Sequence, residues 1–323
     1  MSTVRAALGH VVPVMATLFM AAGTVYFFVL DEGGERGAAA PASGPRPAVK
    51  VYSTVYPVAD FVRRLAGQRV DSACLVPPGT DVASWWPDAV TTRWLQEADL
   101  LLLNGAGMEP WAASLALSPT RTLETASGLR DEIIQMGPSV THSHGPGGHH
   151  THRGTNPFTW MDPRLAMTQA SAVAVGLSRV LRRDVTAFDE ELRRLTEELE
   201  ALDQKLAALG PLPDGEVMVG GHPGYQYLCR RYRWPVVELD LEPDEVLAPS
   251  GLAAARRQLS GHVARIVLLP TAPAAEQEAQ LRAELGLEVV LFSVCAAPPD
   301  SDGAGYVELM RANARRLAAA WSR

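Results

Sequence analysis

Cysteine is scarce: the 323 residues contain three, Cys74, Cys229 and Cys295. No two form a CxxC pair or a zinc-finger spacing, so a disulfide-stapled scaffold and a cysteine-based structural metal site are both excluded. An odd number leaves at least one thiol unpaired, and a Cys229–Cys295 pairing stays open for an exported chain. Basic runs are missing too. Lys and Arg number 29 against 36 Asp and Glu, and the net charge of −7 has no positive block within it. Nucleic acid is therefore excluded as a partner, because backbone binding needs clustered cations. No nucleophile–base motif, phosphate-binding glycine loop or metal-hydrolase signature occurs, so no enzyme is expected. What remains is a folded composition, 47% hydrophobic and 20% charged, long enough for two domains.

Charge is also absent from residues 11–30, VVPVMATLFMAAGTVYFFVL. About 20 apolar residues cross a bilayer core. Arg5 before the run and Asp31 and Glu32 after it leave residues 1–10 as a cytoplasmic tip. A signal-peptide core is shorter, about 7–15 residues, so an uncleaved transmembrane signal-anchor is expected. Small residues around 38–42 keep a cleaved, secreted form open, and no cysteine follows the run to carry a lipid. Residues 31–47, rich in Gly, Ala and Pro, form a flexible tether. The folded part begins near Ala48, on the extracytoplasmic (periplasmic) face of the cytoplasmic membrane.

Beyond the tether, apolar runs alternate with helical patterns. AVKVYST, DSACLV and DLLLLNG read as strands, with helices in VADFVRRLAG and over residues 87–98. The rhythm returns in EVMVGG, PVVELD, ARIVLLP and EVVLFS, with helices near 225–232, 251–260, 274–285 and 306–321. Continuous apolar strands separated by helices predict α/β lobes with parallel sheets covered on both faces. Between the lobes, Phe188, Leu192, Leu195, Leu199, Leu202, Leu206 and Leu209 step by four and three. That stripe predicts one amphipathic helix over residues 184–209, capped by Asp184, stopped by Gly210–Pro211 and about 40 Å long. Packing along both lobes is the favoured use of the stripe, and a coiled-coil dimer is the other. The domains expected are an N-terminal lobe over 48–183, the linking helix over 184–209 and a C-terminal lobe over 210–323.

VYPVADFVRRLAGQRV, LVPPGTD, DLLLLNGAGMEPW, a histidine-rich loop before WMDP, the long helix, GHPGYQYLCRRY and APSGL occur in that order. Together they resemble the substrate-binding proteins of bacterial zinc and manganese ABC importers, over nearly all the chain beyond Ala48. The resemblance implies two lobes, each with a four-stranded parallel sheet flanked by helices, joined by one linking helix. It also implies a Zn2+ or Mn2+ ion held between the lobes, and an ABC permease as partner.

The family's ligand positions are mostly altered. In GTDVASWWPD, Ala83 stands where the family pattern has its first histidine, and in NPFTWMDP, Phe158 stands at the second. GHPGYQY keeps the third as His222, and Ser293 in VLFSV falls where an acid is usual. The framework around them is retained in Trp85, Pro87, Trp160, Asp162 and Pro163. Zinc is normally held by four His, Cys or carboxylate donors, and even a catalytic site keeps three. Ala and Phe donate nothing and a neutral hydroxyl is poor, so the inter-lobe metal site is expected to be degenerate. Asp81, Asp88, Asp162 and Cys295 are the candidates for rebuilding it. Each also has a structural reading: a turn, two helix caps and a small apolar filler. His222 itself reads either as a ligand or as a hydrogen-bonded structural histidine.

The remaining histidines, His142, His144, His149, His150 and His152, lie among Gly, Ser, Thr and Pro in the loop at 141–153. Neutral imidazoles there can chelate divalent metal loosely; a solvated linker is the other reading. The expected function is an extracytoplasmic solute-binding protein of a metal importer, or a repurposed relative with an altered inter-lobe site. The alternative is a membrane-tethered binding or regulatory module whose cleft, lined by Trp86, Phe158, Trp160 and Tyr225, takes an organic ligand or partner protein. An inert relic without a ligand is the third.

Overall fold

The computed structural model describes residues 48–136, 140–143, 149–152, 154–242, 245–299 and 303–321, with the backbone alone at 140–143 and 149–152. The apolar run at 11–30, the tether and His144 lie outside the described residues. Among the described residues, no helix is long and apolar enough to cross a membrane.

The first sheet comprises β1 (Lys50–Ser53), β2 (Asp71–Cys74), β3 (Leu100–Leu103) and β4 (Thr122–Glu124), all parallel, in the order β2-β1-β3-β4. α1 (Tyr56–Ala66) and α2 (Ala89–Glu97) are its crossovers. The second sheet has the order β10-β9-β7-β8 and is also parallel: β7 (Glu216–Gly220), β8 (Val236–Glu238), β9 (Val263–Leu269) and β10 (Glu288–Leu291). Its helices are α5 (Tyr225–Tyr232), α6 (Pro249–Gln258), α7 (Ala275–Leu285) and α8 (Tyr306–Trp321). The four leucines of β3 are all buried, as expected of an interior strand covered on both faces.

Two elements join these sheets. α3 (Pro163–Leu181) starts at the cap Asp162, whose side chain accepts from the Arg164 N–H, and ends at Arg182 with φ 52°. α4 (Asp189–Ala207) follows. The single helix expected over 184–209 is divided: Asp184 caps a short 3-10 turn, Val185–Phe188, and the α-helix begins only at Asp189. At 19 residues α4 is about 28 Å long, shorter than the sequence suggests. Five positions of the stripe, Phe188, Leu195, Leu199, Leu202 and Leu206, are fully covered, and Leu192 and Leu209 are partly buried. α4 packs on α3, α1 and α8 within one chain, which takes the place of a coiled-coil seam.

The largest apolar core does not stop at the boundary between the lobes. It runs from Val51, Leu100 and Leu102 through α1, α3 and α4 to Met218, Leu268, Phe292 and Met310. Phe61 of α1 meets Tyr306 of α8 edge to face at 5.6 Å between ring centroids. Polar bonds cross the same seam: the Tyr56 N–H donates to Ala296 O at 2.8 Å, and the Tyr306 N–H donates to buried Asp60 at 3.0 Å. Asp203 of α4 gathers Arg231 at 2.8 and 2.9 Å, Arg164 at 3.0 Å and the Tyr232 hydroxyl at 3.0 Å.

Where the sequence suggests a plain histidine-rich loop, the backbone forms a two-stranded antiparallel ladder, β5 (Val140–Ser143) with β6 (His149–His152). His142 lies opposite His150, His149 opposite Ser143 and His152 opposite Val140.

Candidate functional site

In open parallel sheets, ligands bind beyond the carboxyl ends of the strands, and His222 and Ser293 follow the carboxyl ends of β7 and β10. β7 ends at Gly220 and runs through Gly221, His222, Pro223 and Gly224 into α5. Both flanking glycines allow close approach. A Cβ on Gly221 would stand 2.4 Å from Leu269, and one on Gly224 would stand 2.9 Å from His222 Nδ1 and 3.1 Å from Val294. With Gly224 bare, its N–H donates to His222 Nδ1 at 2.9 Å.

That bond decides what the imidazole can do. A neutral histidine accepting at Nδ1 carries its proton on Nε2. A histidine that ligates through Nε2 instead keeps its proton on Nδ1 and donates it to a carbonyl or carboxylate. At His222 the bond to Nδ1 has the opposite polarity, with the backbone N–H of Gly224 as donor. His222 is 4% exposed, and the ring of Phe158, 1% exposed, stands against it edge to face at 4.7 Å and 83°. Phe158 also packs on Trp160 at 5.5 Å, while His222 meets Tyr225 at 6.1 Å and Tyr225 meets Phe292 at 5.9 Å.

This chain of rings is fixed from both lobes. The Phe158 N–H donates to Asn156 Oδ1 at 3.0 Å, and Asn156 Nδ2 donates to Pro223 O at 2.7 Å and to Gln226 at 3.0 Å. The Tyr227 hydroxyl donates to Asn156 O at 2.8 Å. Trp160 Nε1 donates to Val294 O at 2.7 Å, the Tyr225 hydroxyl to Phe292 O at 2.7 Å, and the Tyr306 hydroxyl to Trp160 O. Asn156 is thus the main bridge across the site, and nothing in the sequence singled it out. Its role depends on Pro223, Gln226 and Tyr227, which are far away in the chain.

The other positions are engaged in local bonds. Ala83 is partly buried, and its N–H donates to Asp81 Oδ1 at 3.1 Å. Ser293 is absorbed by local bonds. Its hydroxyl accepts from the Cys295 N–H at 3.1 Å, its N–H donates to Asn313 at 3.0 Å and its carbonyl accepts from Asn313 at 2.7 Å. That turn holds Cys295 at φ 55°, in the left-handed region.

The rebuilding candidates take their structural roles. Asp88 caps α2, accepting from the Thr91 N–H at 2.7 Å, and that bond holds its carboxyl below the usual value. Asp162 caps α3, with burial as the main cause raising its carboxyl. Asp81 closes the turn at Ala83. Cys229 and Cys295 are free, buried thiols rather than a disulfide. Burial pushes Cys295 up to about 12 and Cys229 higher, and the thiolate is the form that binds metal. Among the described residues, no group of three or more His, Cys, Asp or Glu is arranged to hold an ion.

Of the aromatic lining expected around an organic ligand, Phe158, Trp160 and Tyr225 are buried ring against ring, while Trp86 is 62% exposed. Nearby, a second feature emerges from NGAGMEPW. Glu109 accepts from Thr54 Oγ1 at 2.6 Å and from the N–H groups of Asn104 and Gly105 at 2.8 and 3.0 Å. Burial pushes its carboxyl up to about 7.

The model of the family described as ZnuA, zinc-uptake complex component A periplasmic, matches residues 51–320. The chain belongs to that family. The family is described as a component of a zinc-uptake complex. Among ZnuA-family relatives, the zinc-binding lipoprotein AdcA of Streptococcus pneumoniae is 22% identical over 277 residues, which are 83% of this chain and 55% of AdcA. The chain thus spans about half the length of the curated relatives it matches first. The high-affinity zinc uptake system protein ZnuA of Bacillus subtilis is 18% identical, covering 81% of this chain and 84% of its own. The crystal structure of the Zn(II)-bound ZnuA-like domain of Streptococcus pneumoniae AdcA superposes with a TM-score of 0.71. It has 18% identity and covers 86% of this chain and all of that domain. The shared fold is the two parallel four-stranded sheets with their helices.

Proposed function

We propose that this chain is the extracytoplasmic solute-binding component of a divalent-metal ABC importer, or a relative of one, with zinc or manganese as cargo and an altered inter-lobe site. The run at 11–30 anchors it on the outer face of the cytoplasmic membrane, residues 31–47 tether it, and the lobes and linking segment occupy 48–183, 184–209 and 210–323. Membership of the zinc-uptake family and the metal-binding names of its relatives support the cargo. The altered site rests on one observation: His222 accepts a backbone N–H at Nδ1 and is covered by Phe158. An imidazole bonded in that way, with Ala, Phe and Ser at the other ligand positions, lacks the donor set of a zinc site. Capture of metal then falls to His142, His144, His149, His150 and His152, which bind loosely because several imidazoles share one short segment without carboxylate support.

Isothermal titration with Zn2+ of the intact chain and of a chain lacking residues 141–153 tests this reading. Binding should disappear with the segment. Submicromolar binding that survives the deletion and is lost in His222→Ala would return the ion to the position between the lobes.

A further inference from the structure

The outer face of the first sheet is thinly covered. Its core is the small cluster Leu95, Ala98, Leu101, Leu103 and Trp111, and Leu95 is the one buried residue of α2. Trp85 turns inward, edge to face with Trp111 at 5.5 Å. Its neighbour Trp86, in the segment before α2, turns outward at 62% exposed, and Val90 and Trp94, four residues apart on α2, are 52% and 47% exposed. Burying large apolar side chains is favourable, so three of them left in water on and just before a half-covered helix mark a contact surface.

The position of these residues indicates what covers them. The chain enters the described domain at residues 48–50, beside the C-terminal end of α2. The Lys50 N–H donates to Asp99 at 2.9 Å, the Asp99 N–H donates to Lys50 O at 3.0 Å, and Lys50 Nζ lies 3.7 Å from Glu97. The described chain therefore begins beside the end of α2 that carries Trp94. A Gly/Ala/Pro-rich tether of about 17 residues has an r.m.s. reach of roughly 23 Å, against about 14 Å for the length of α2. Around them, Arg93 and Lys50 stand with Asp88, Glu97 and Asp99, a net charge of about −1 that selects no highly charged partner. Tryptophan with an aliphatic neighbour and mixed polar flanks suits the interfacial zone of a bilayer.

We propose that Trp86, Val90 and Trp94 form a membrane-contact surface that lays the first lobe against the outer leaflet of the bilayer holding the chain. This rests on the anchor reading of residues 11–30. The test uses the full chain reconstituted into phosphatidylcholine vesicles with brominated acyl chains, compared with W86S/W94S. Flotation after a carbonate wash reads the anchor by itself. In the floated fraction, quenching of tryptophan emission should be roughly threefold larger in the wild type than in the variant, with unchanged near-UV circular dichroism. Equal quenching in both overturns the surface. So does quenching in neither, with a dimer or a permease complex that the variant alone loses. If the chain does not float, the anchor reading fails and the released protein is added to the same vesicles. Binding that W86S/W94S removes then sustains the surface, and no binding refutes it.

Discussion

Replacing Phe158 with alanine is the sharpest probe of the inter-lobe position. The ring is 1% exposed, lies 4.7 Å from His222 and 5.5 Å from Trp160, and belongs to the core shared by both lobes. Truncating a buried phenylalanine costs about 3–5 kcal/mol. The site is pinned by bonds from Asn156, Trp160 and Tyr225, so little collapse is available and the upper half of that range applies. For a chain of this size, a loss of about 4 kcal/mol lowers Tm by roughly 10 °C. The assay is urea unfolding and differential scanning calorimetry of the chain lacking residues 141–153, with and without Zn2+. Zinc should restore nothing, because removing the ring exposes no additional donor. A variant as stable as the parent would mean that the ring does not fill the seam. A variant that gains tight zinc binding would show that other donors converge there, and would refute the argument from missing ligands.

Three further outcomes are expected. Installing Ala83→His, Phe158→His and Ser293→Asp together in the loop-deleted chain should create zinc binding measurable by competitive titration, and none of the three single changes should do so; multi-ligand sites reach about 10 kcal/mol or more. Glu109 has a folded value near 7 against an ordinary 4.5, so the folded state holds the extra proton between those values and stability falls as pH rises through that window. The loss is on the order of 3 kcal/mol, and Glu109→Gln should flatten it in urea melts taken from pH 4.5 to 7.5. Burial acts to raise the Asp203 carboxyl, yet the bonds from Arg231, Tyr232 and Arg164 together leave it below the ordinary value. Its contribution is present above about pH 4 and is lost as pH falls through the folded value. Asp203→Asn should cost about 2 kcal/mol at pH 7 and narrow the difference from wild type in acid.

The seven strands read as apolar runs are present, because a continuous apolar segment bounded by turn residues is a local property. β4 was not legible: Thr122–Glu124 is three residues long and half-exposed, and pairing with β3 is what makes it a strand. α3 announced only its start, through Asp162 and Pro163. Four of its nine buried residues are Ala or Gly, including Gly176, where a Cβ would stand 3.1 Å from Leu123, so close packing against the sheet stands in for part of an apolar stripe. The linking stripe was correct in its buried face and wrong in its start, since periodicity does not distinguish a 3-10 turn from the first turn of an α-helix.

By itself, the sequence determined the alternation of strands and helices, the buried face of α4 and the chemical poverty of positions 83, 158 and 293, because each follows from residue type and local spacing. Tertiary structure decided how the vacated positions are used. Residues 156, 158, 222 and 292 meet only when two separate sheets close on one another, and that meeting covers His222 with Phe158 and makes Asn156 the bridge. It also decided which of two adjacent tryptophans faces the core and which faces outward, since one turn of backbone sends Trp85 to Trp111 and leaves Trp86 in solvent.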